Sequence, residues 1–272
     1  MRKHTPFSIS PNPVLLYLTD ALEAALFRIR YTVDHRQGLS VVLGDVGVGK
    51  TSLIRYAHAE LDARDDVTSI LIPTPNFNSE YAFIQAVAQA VELPPRRSVQ
   101  QHQRELEALL GAEYMADKAV VLFIDEAQKL STQMLELVRS FLNFETDDAK
   151  LIQVVLAGQL ELRDRLHTKK MRALFSRIVS PTILAPLSLS ETERMIQYRC
   201  TYYKIPNPFP VLTLQRVYQL AAGIARDVLR ICDVSYQMIQ IMKIAEAPVG
   251  VVDQAYADLQ LQDEREQEAV AV

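Results

Sequence analysis

Gly44-Asp45-Val46-Gly47-Val48-Gly49-Lys50-Thr51 is the stretch on which the reading of this chain turns. It follows an apolar run at 40–43 and opens a helical pattern over 50–64. Strand, glycine-rich turn, Lys-Thr and helix, in that order, form a phosphate-binding loop. Glycines let successive backbone N–H groups turn inward around phosphate oxygens. The helix that begins after Gly49 points its positive end at the same anion. Lys50 then reaches the β- and γ-phosphates, the Thr51 hydroxyl ligates magnesium, and Ser52 completes the segment 44–52 that surrounds a nucleotide. The expected ligand is MgATP.

Such a site needs an acidic partner at the tip of a neighbouring buried strand. Val120-Val121-Leu122-Phe123-Ile124-Asp125-Glu126 supplies one. Asp125 is expected to hold magnesium and Glu126 to polarise the attacking water as general base. A later run, Val154-Val155-Leu156-Ala157-Gly158-Gln159, also ends in a polar residue. Gln159 is placed beside the γ-phosphate, positioning water.

Working outward, apolar runs at 40–43, 67–72, 119–124, 151–157 and 178–184 alternate with helical patterns at 50–64, 78–92, 99–116, 131–144 and 159–175. Continuous apolar runs fit strands buried on both faces of a parallel sheet, and the alternation predicts a doubly wound α/β core. After Pro186 the pattern is helical only, at 190–203, 211–222, 225–245 and 251–259, with Ser190 and Glu193 as a capping box. The expected organisation is an α/β ATPase core at 1–188, a small all-α lid at 189–262 and a flexible tail at 263–272. MgATP is expected between core and lid.

The 272 residues are 49% hydrophobic and 23% charged, a globular mixture. No run approaches the ~20 apolar residues that span a bilayer. The N-terminus has no apolar signal region. Cys200 and Cys232 lack metal-type spacing and read as reduced core thiols. These features predict a cytoplasmic protein with no membrane partner. A net charge of −4 excludes whole-surface attraction to nucleic acid, so any DNA contact must come from a local basic patch.

A transferring γ-phosphoryl group carries charge that an arginine from a neighbouring subunit can stabilise. Arg177 is assigned that trans role, with Arg172 as the alternative. Arg226, in Gly223-Ile224-Ala225-Arg226, is expected to reach the nucleotide in cis from the lid. The chain is therefore expected to form a ring or helical homo-oligomer whose contacts follow nucleotide state.

These residues resemble the AAA+ ATPases, and within them the ExeA/GspA-like group. The likeness runs through PFSISPNPVLLYLT (6–19), GDVGVGKTSLIRYAHAEL (44–61), the segment 120–166 with Asp125-Glu126-Ala127-Gln128 and Gly158-Gln159, ALFSRIVSPTILAPLSLSET (173–192) and GIARDVLRICD (223–233). The resemblance implies an AAA+ P-loop fold and ATP hydrolysis. Two kinds of protein share this module. Secretion-channel ATPases continue into a transmembrane helix and a cell-wall-binding domain. Transposition regulators such as TnsC, TniB and MuB are short ATPases that assemble on duplex target DNA and recruit a transposase, guided by a target selector. The length of this chain favours the second kind, with secretion-channel assembly as the alternative.

If the chain is of the second kind, the resemblance places DNA backbone contacts at two loops. Asn78 and Ser79 lie in the first, which has no lysine, and Arg96, Arg97 and Ser98 in the second. Lys169-Lys170-Met171-Arg172 is a further basic cluster suited to DNA or a subunit interface.

Overall fold

The computed structural model describes residues 5–270, with side chains described as far as Asp263. The final two residues of the expected tail lie outside the described residues. The chain forms two compact units. One comprises 12–46 and 50–184; the other comprises the N-terminal segment to Pro11, Gly47–Gly49 and the chain from Ala185 onward.

The first unit is built on five parallel strands: β1 (Leu39–Gly44), β2 (Val67–Ile72), β3 (Ala119–Ile124), β4 (Ile152–Gly158) and β5 (Ile178–Leu184), in the order β2-β3-β4-β1-β5. Every residue of β1, β3 and β4 is buried; their sequences are apolar apart from Ser40, which donates to the Ser180 carbonyl, and Gln153, which accepts the Gly38 N–H and donates to the Lys150 carbonyl. The edges read differently. β5 alternates, exposing Val179 and Ile183, and holds Pro181 where no ladder hydrogen bond is lost to it. Each of the five apolar runs is thus a strand, and the outermost two are only half covered.

Helices α2 (Lys50–Asp62), α3 (Glu80–Ala90), α4 (Val99–Met115) and α5 (Thr132–Phe141) fill four of the five expected positions. The fifth pattern, 159–175, is broken into α6 (Leu160–Leu166), a 3-10 turn at Lys169–Met171 and α7 (Arg172–Phe175). One helix lies outside the predicted alternation: α1 (Asp20–Asp34), whose buried Leu22, Ala25, Leu26, Ile29 and Val33 recur at helical spacing. Thr19 caps it by accepting from the Leu22 N–H at 3.2 Å. One sheet face packs against α3, α4 and α5 through Phe83, Leu106, Leu122, Phe141 and Val154, all fully buried, while Val121, Phe123 and Val155 on the other face are buried as fully.

The second unit contains α8 (Leu189–Tyr203), α9 (Val211–Ala221), α10 (Ala225–Met242) and α11 (Val249–Val270). The capping box is formed by Ser188 and Glu191 rather than Ser190 and Glu193. Both pairs have the required spacing, and the box forms where the chain enters the helix, one residue before Leu189. Cys200 and Cys232 are both buried and free. Burial pushes the Cys200 thiol up to about 11 and Cys232 well above its ordinary value.

The N-terminal segment is tied into this unit. Phe7 is fully buried, edge-on to Phe209 (5.5 Å) and Tyr236 (5.7 Å). The buried Arg199 guanidinium donates to the Ser8 carbonyl at 2.7 Å. An aromatic wedge and a charge-assisted bond therefore hold the adjacent residues Phe7 and Ser8. Replacing Phe7 with Ala should destabilise the unit by about 3–5 kcal/mol. Urea unfolding followed by helical circular dichroism measures this; an unchanged midpoint would contradict the wedge.

Candidate nucleotide site

Parallel strands present all their C-terminal loops at one sheet edge, where ligands of open α/β sheets bind. Here β1, β4 and β3 are adjacent, with Leu43 opposite Gly158 and Leu156 opposite Ile124. Three loops therefore leave the sheet side by side: the glycine-rich turn after β1, Asp125-Glu126 after β3, and Gln159 after β4.

The turn adopts the backbone its sequence allows. Gly47 and Gly49 have φ of 84° and 103°, in the region that disfavours side chains. A Cβ on Gly49 would meet nothing within 4 Å, so torsion rather than space demands glycine there. Lys50 is 6% exposed, and its Nζ donates to the carbonyls of Gly44 (2.9 Å) and Asp45 (2.8 Å).

Asp125 is buried at the tip of β3, 2% exposed. Burial pushes its carboxyl above the usual carboxylate range; the Thr51 hydroxyl and the Glu126 N–H, both donating to it, and the nearby Lys50 ammonium act in the other direction. Lys50, Thr51 and Asp125 are thus brought together, as expected. A carboxylate and a hydroxyl, bonded to each other in a buried position, are hard oxygen donors suited to magnesium. Among the described residues no cluster of three His, Cys, Asp or Glu offers another metal site.

Glu126 stands in the left-handed region, φ 53° and ψ 35°. The chain turns sharply off the strand there, at a cost of about 1–2 kcal/mol for a residue with a Cβ. The turn lifts Glu126 out of the sheet, leaving its side chain 29% exposed. Lys129 stands 4.0 Å away. Gln159 sits at the N-cap of α6 but makes no capping bond with its side chain.

Two residues that had no expected role join this group. The Gln128 amide donates to Glu126 Oε2 at 2.8 Å, while its Oε1 accepts the Gln159 N–H at 3.2 Å. Arg165 donates to the carbonyls of Gln128 (2.7 Å) and Leu130 (2.6 Å). Gln128 is visible in sequence only as part of Asp-Glu-Ala-Gln; nothing in its spacing says which way its amide turns.

The arginines fall elsewhere. Arg177 precedes β5, level with Leu39 at the start of β1, and donates to the Arg139 carbonyl at 3.1 Å. One strand length, roughly 17 Å, separates that level from the phosphate loop of its own chain. Arg172 is exposed on α7. Arg226 is exposed at the start of α10; within its own unit, its backbone N–H donates to the Gly47 carbonyl at 3.1 Å. Of the expected DNA-contact set, Ser98 caps α4 through its hydroxyl and Arg96 pairs with Glu105 at 2.5 Å. Arg97 and Asn78 are exposed, and Ser79 caps α3.

Replacing Asp125 with Asn removes an unfavourably buried charge. The nucleotide-free variant should melt about 2–4 °C higher at pH 8 while losing magnesium-dependent nucleotide affinity. Calorimetry with and without MgATP reads both effects, and a lower melting point would contradict the burial argument.

Comparison with known proteins agrees with this geometry. Residues 33–166 match the AAA domain family. General secretion pathway protein A of Aeromonas hydrophila is 33% identical over 238 residues, covering 84% of this chain and 42% of that protein. The chain therefore spans less than half the length of that relative. Among solved structures, the Aeropyrum pernix ORC2 protein in ADPNP–ADP complexes superposes with a TM-score of 0.67 at 14% identity, covering 94% of this chain and 72% of that one. The Aeropyrum pernix ORC1 protein in complex with DNA gives 0.69 at 18% identity, over 95% and 69% of the two chains. A Walker-type ATPase of Pyrococcus abyssi gives 0.69 at 16% identity, over 98% and 80%. Residues 33–166 thus resemble the AAA domain family, and the five-stranded parallel sheet with its flanking helices has the fold of an AAA+ P-loop NTPase.

Proposed function

We propose that this chain is an ATP-hydrolysing switch of the ExeA/GspA-like kind, which uses nucleotide state to control its own association during secretion-channel assembly. The observation that carries the ATPase reading is the convergence at one sheet edge of the buried Lys50 and, two strands away, the buried Asp125 at the tip of β3, with Glu126 turned out of the sheet beside it. The secretion context rests on the 33% identity to general secretion pathway protein A. The preference for transposition came from chain length, and length does not discriminate when the chain spans 42% of that relative. No compared protein supports a transposase or a target selector as partner. No helix among the described residues is long and apolar enough to cross a membrane.

The residues act as follows. The backbone N–H groups of the loop and the start of α2 bind the phosphates, with the helix dipole favouring the anion. Lys50 exchanges the Gly44 and Asp45 carbonyls for phosphate oxygens, a stronger charge-assisted partner. Thr51 and Asp125 would hold magnesium, which neutralises charge on the β- and γ-phosphates when bound. Glu126 accepts a proton from the attacking water as its oxygen bonds to the γ-phosphorus and the bond to the β-phosphate oxygen breaks. Gln159 orients that water. Arg177, a strand length from its own loop, serves the pocket of a second copy, so hydrolysis reports on and weakens that contact.

Two experiments test this. Lys50→Ala should abolish ATP binding, whereas Glu126→Gln should keep it and lower turnover by about 10²-fold or more; unimpaired turnover in Glu126→Gln would remove it as the base. Mixing Lys50→Ala with Arg177→Ala protein should restore part of the activity each lacks alone, because one mixed interface carries both intact groups. An Arg177→Ala protein that hydrolyses normally would end the trans assignment. ATP-dependent filaments on duplex DNA would return the transposition reading to first place.

A further inference from the structure

The geometry points to Gln128 as a positioning residue for hydrolysis: its side-chain amide ties the carboxylate of Glu126 to the backbone at the tip of β4. The inference rests on the assignment of Glu126 as the base.

Glu126 needs such a tie. It is a half-exposed glutamate on a left-handed turn, with rotamer freedom that an unheld side chain keeps. A base that is one ångström out of place can lose about 10²-fold in rate. Gln128 supplies a hold from two sides. Its Nε2 donates to Glu126 Oε2 (2.8 Å), leaving Oε1 of that carboxylate for water. Its own Oε1 accepts the Gln159 N–H (3.2 Å), which fixes the amide's orientation, because a flipped amide would set N–H against N–H.

The surroundings support that orientation. Residues Ala127–Lys129 form a 3-10 turn, closed by the Lys129 N–H donating to the Glu126 carbonyl at 2.9 Å. Ala127 is fully buried beneath it. Arg165, from α6, clamps the carbonyls of Gln128 and Leu130. On the far side, a Cβ on Gly158 would lie 3.1 Å from Gln128 Oε1 and 2.7 Å from Leu162 Cδ2. A glycine at the end of β4 thus lets the Gln128 amide approach the Gln159 N–H. The result joins β3 and β4 through one side chain, so displacement of Gln159 by a bound phosphate is felt at Glu126.

The test measures ATP affinity and steady-state hydrolysis of the full chain separately. Gln128→Ala should bind a fluorescent ATP analogue within about twofold of wild type but lose about tenfold or more in kcat. Gln128→Glu has the same shape and still accepts from the Gln159 N–H, yet offers Glu126 repulsion in place of a donor. It should lose at least as much. Should the alanine variant fail to fold, the glutamate variant decides the question alone. In a Glu126→Gln background, Gln128→Ala should cause no further loss, since the group it positions is gone. Wild-type kcat in Gln128→Ala, full activity in Gln128→Glu, or additive losses in the double variant would each overturn the inference while leaving Glu126 as the base. A wild-type protein with no ATP turnover at all would instead overturn both readings.

Discussion

One contact organises the candidate site: the Thr51 hydroxyl beside the buried Asp125 carboxylate. Thr51 lies in the first turn of α2 (Lys50–Asp62) and Asp125 directly follows β3 (Ala119–Ile124), so the contact crosses two strand positions and closes the gap between loops that sequence keeps far apart. Its energetic setting is uncomfortable. A carboxylate with so little access to water favours its neutral form, and the donors from Thr51 and Glu126 oppose that only in part. A divalent cation placed on the same two oxygens relieves the conflict.

The sheet makes that contact possible. Because β1, β3 and β4 are buried along their whole length, their side chains are close-packed on both faces, and a slip in register would misfit every one of them. The strand ends are consequently fixed to within a residue, and polar groups just beyond them arrive at the same edge. The half-exposed edge strands do not share that rigidity. β5 exposes Val179 and Ile183, and Arg177, just before it, lies at the opposite end of β1 from the phosphate loop.

Much of this was legible from residue order. The five strands fall on the five apolar runs, because burial on both faces of the three central strands and on one face of the two edges selects apolar residues. The phosphate loop could be read because glycine torsions and a helix N-terminus impose a local pattern. Helix α1 escaped although its apolar spacing is regular, since strand–helix alternation read from the loop onward does not look upstream. The capping box slipped by two residues because Ser-x-x-Glu occurs twice in succession. The preference for transposition over secretion was a judgement from length, which carries no chemistry.

Residue order determined by itself which groups could bind a phosphate and which strand tips could bring them acid: those rules operate over a few neighbouring residues. Only the tertiary structure decided which side chains meet across strands. That Thr51 bonds Asp125, that Gln128 faces both Glu126 and the Gln159 N–H, and that Arg177 stands at the opposite end of the sheet all follow from strand order and register. Both are set by packing of the whole core, a non-local quantity that no short stretch of sequence encodes.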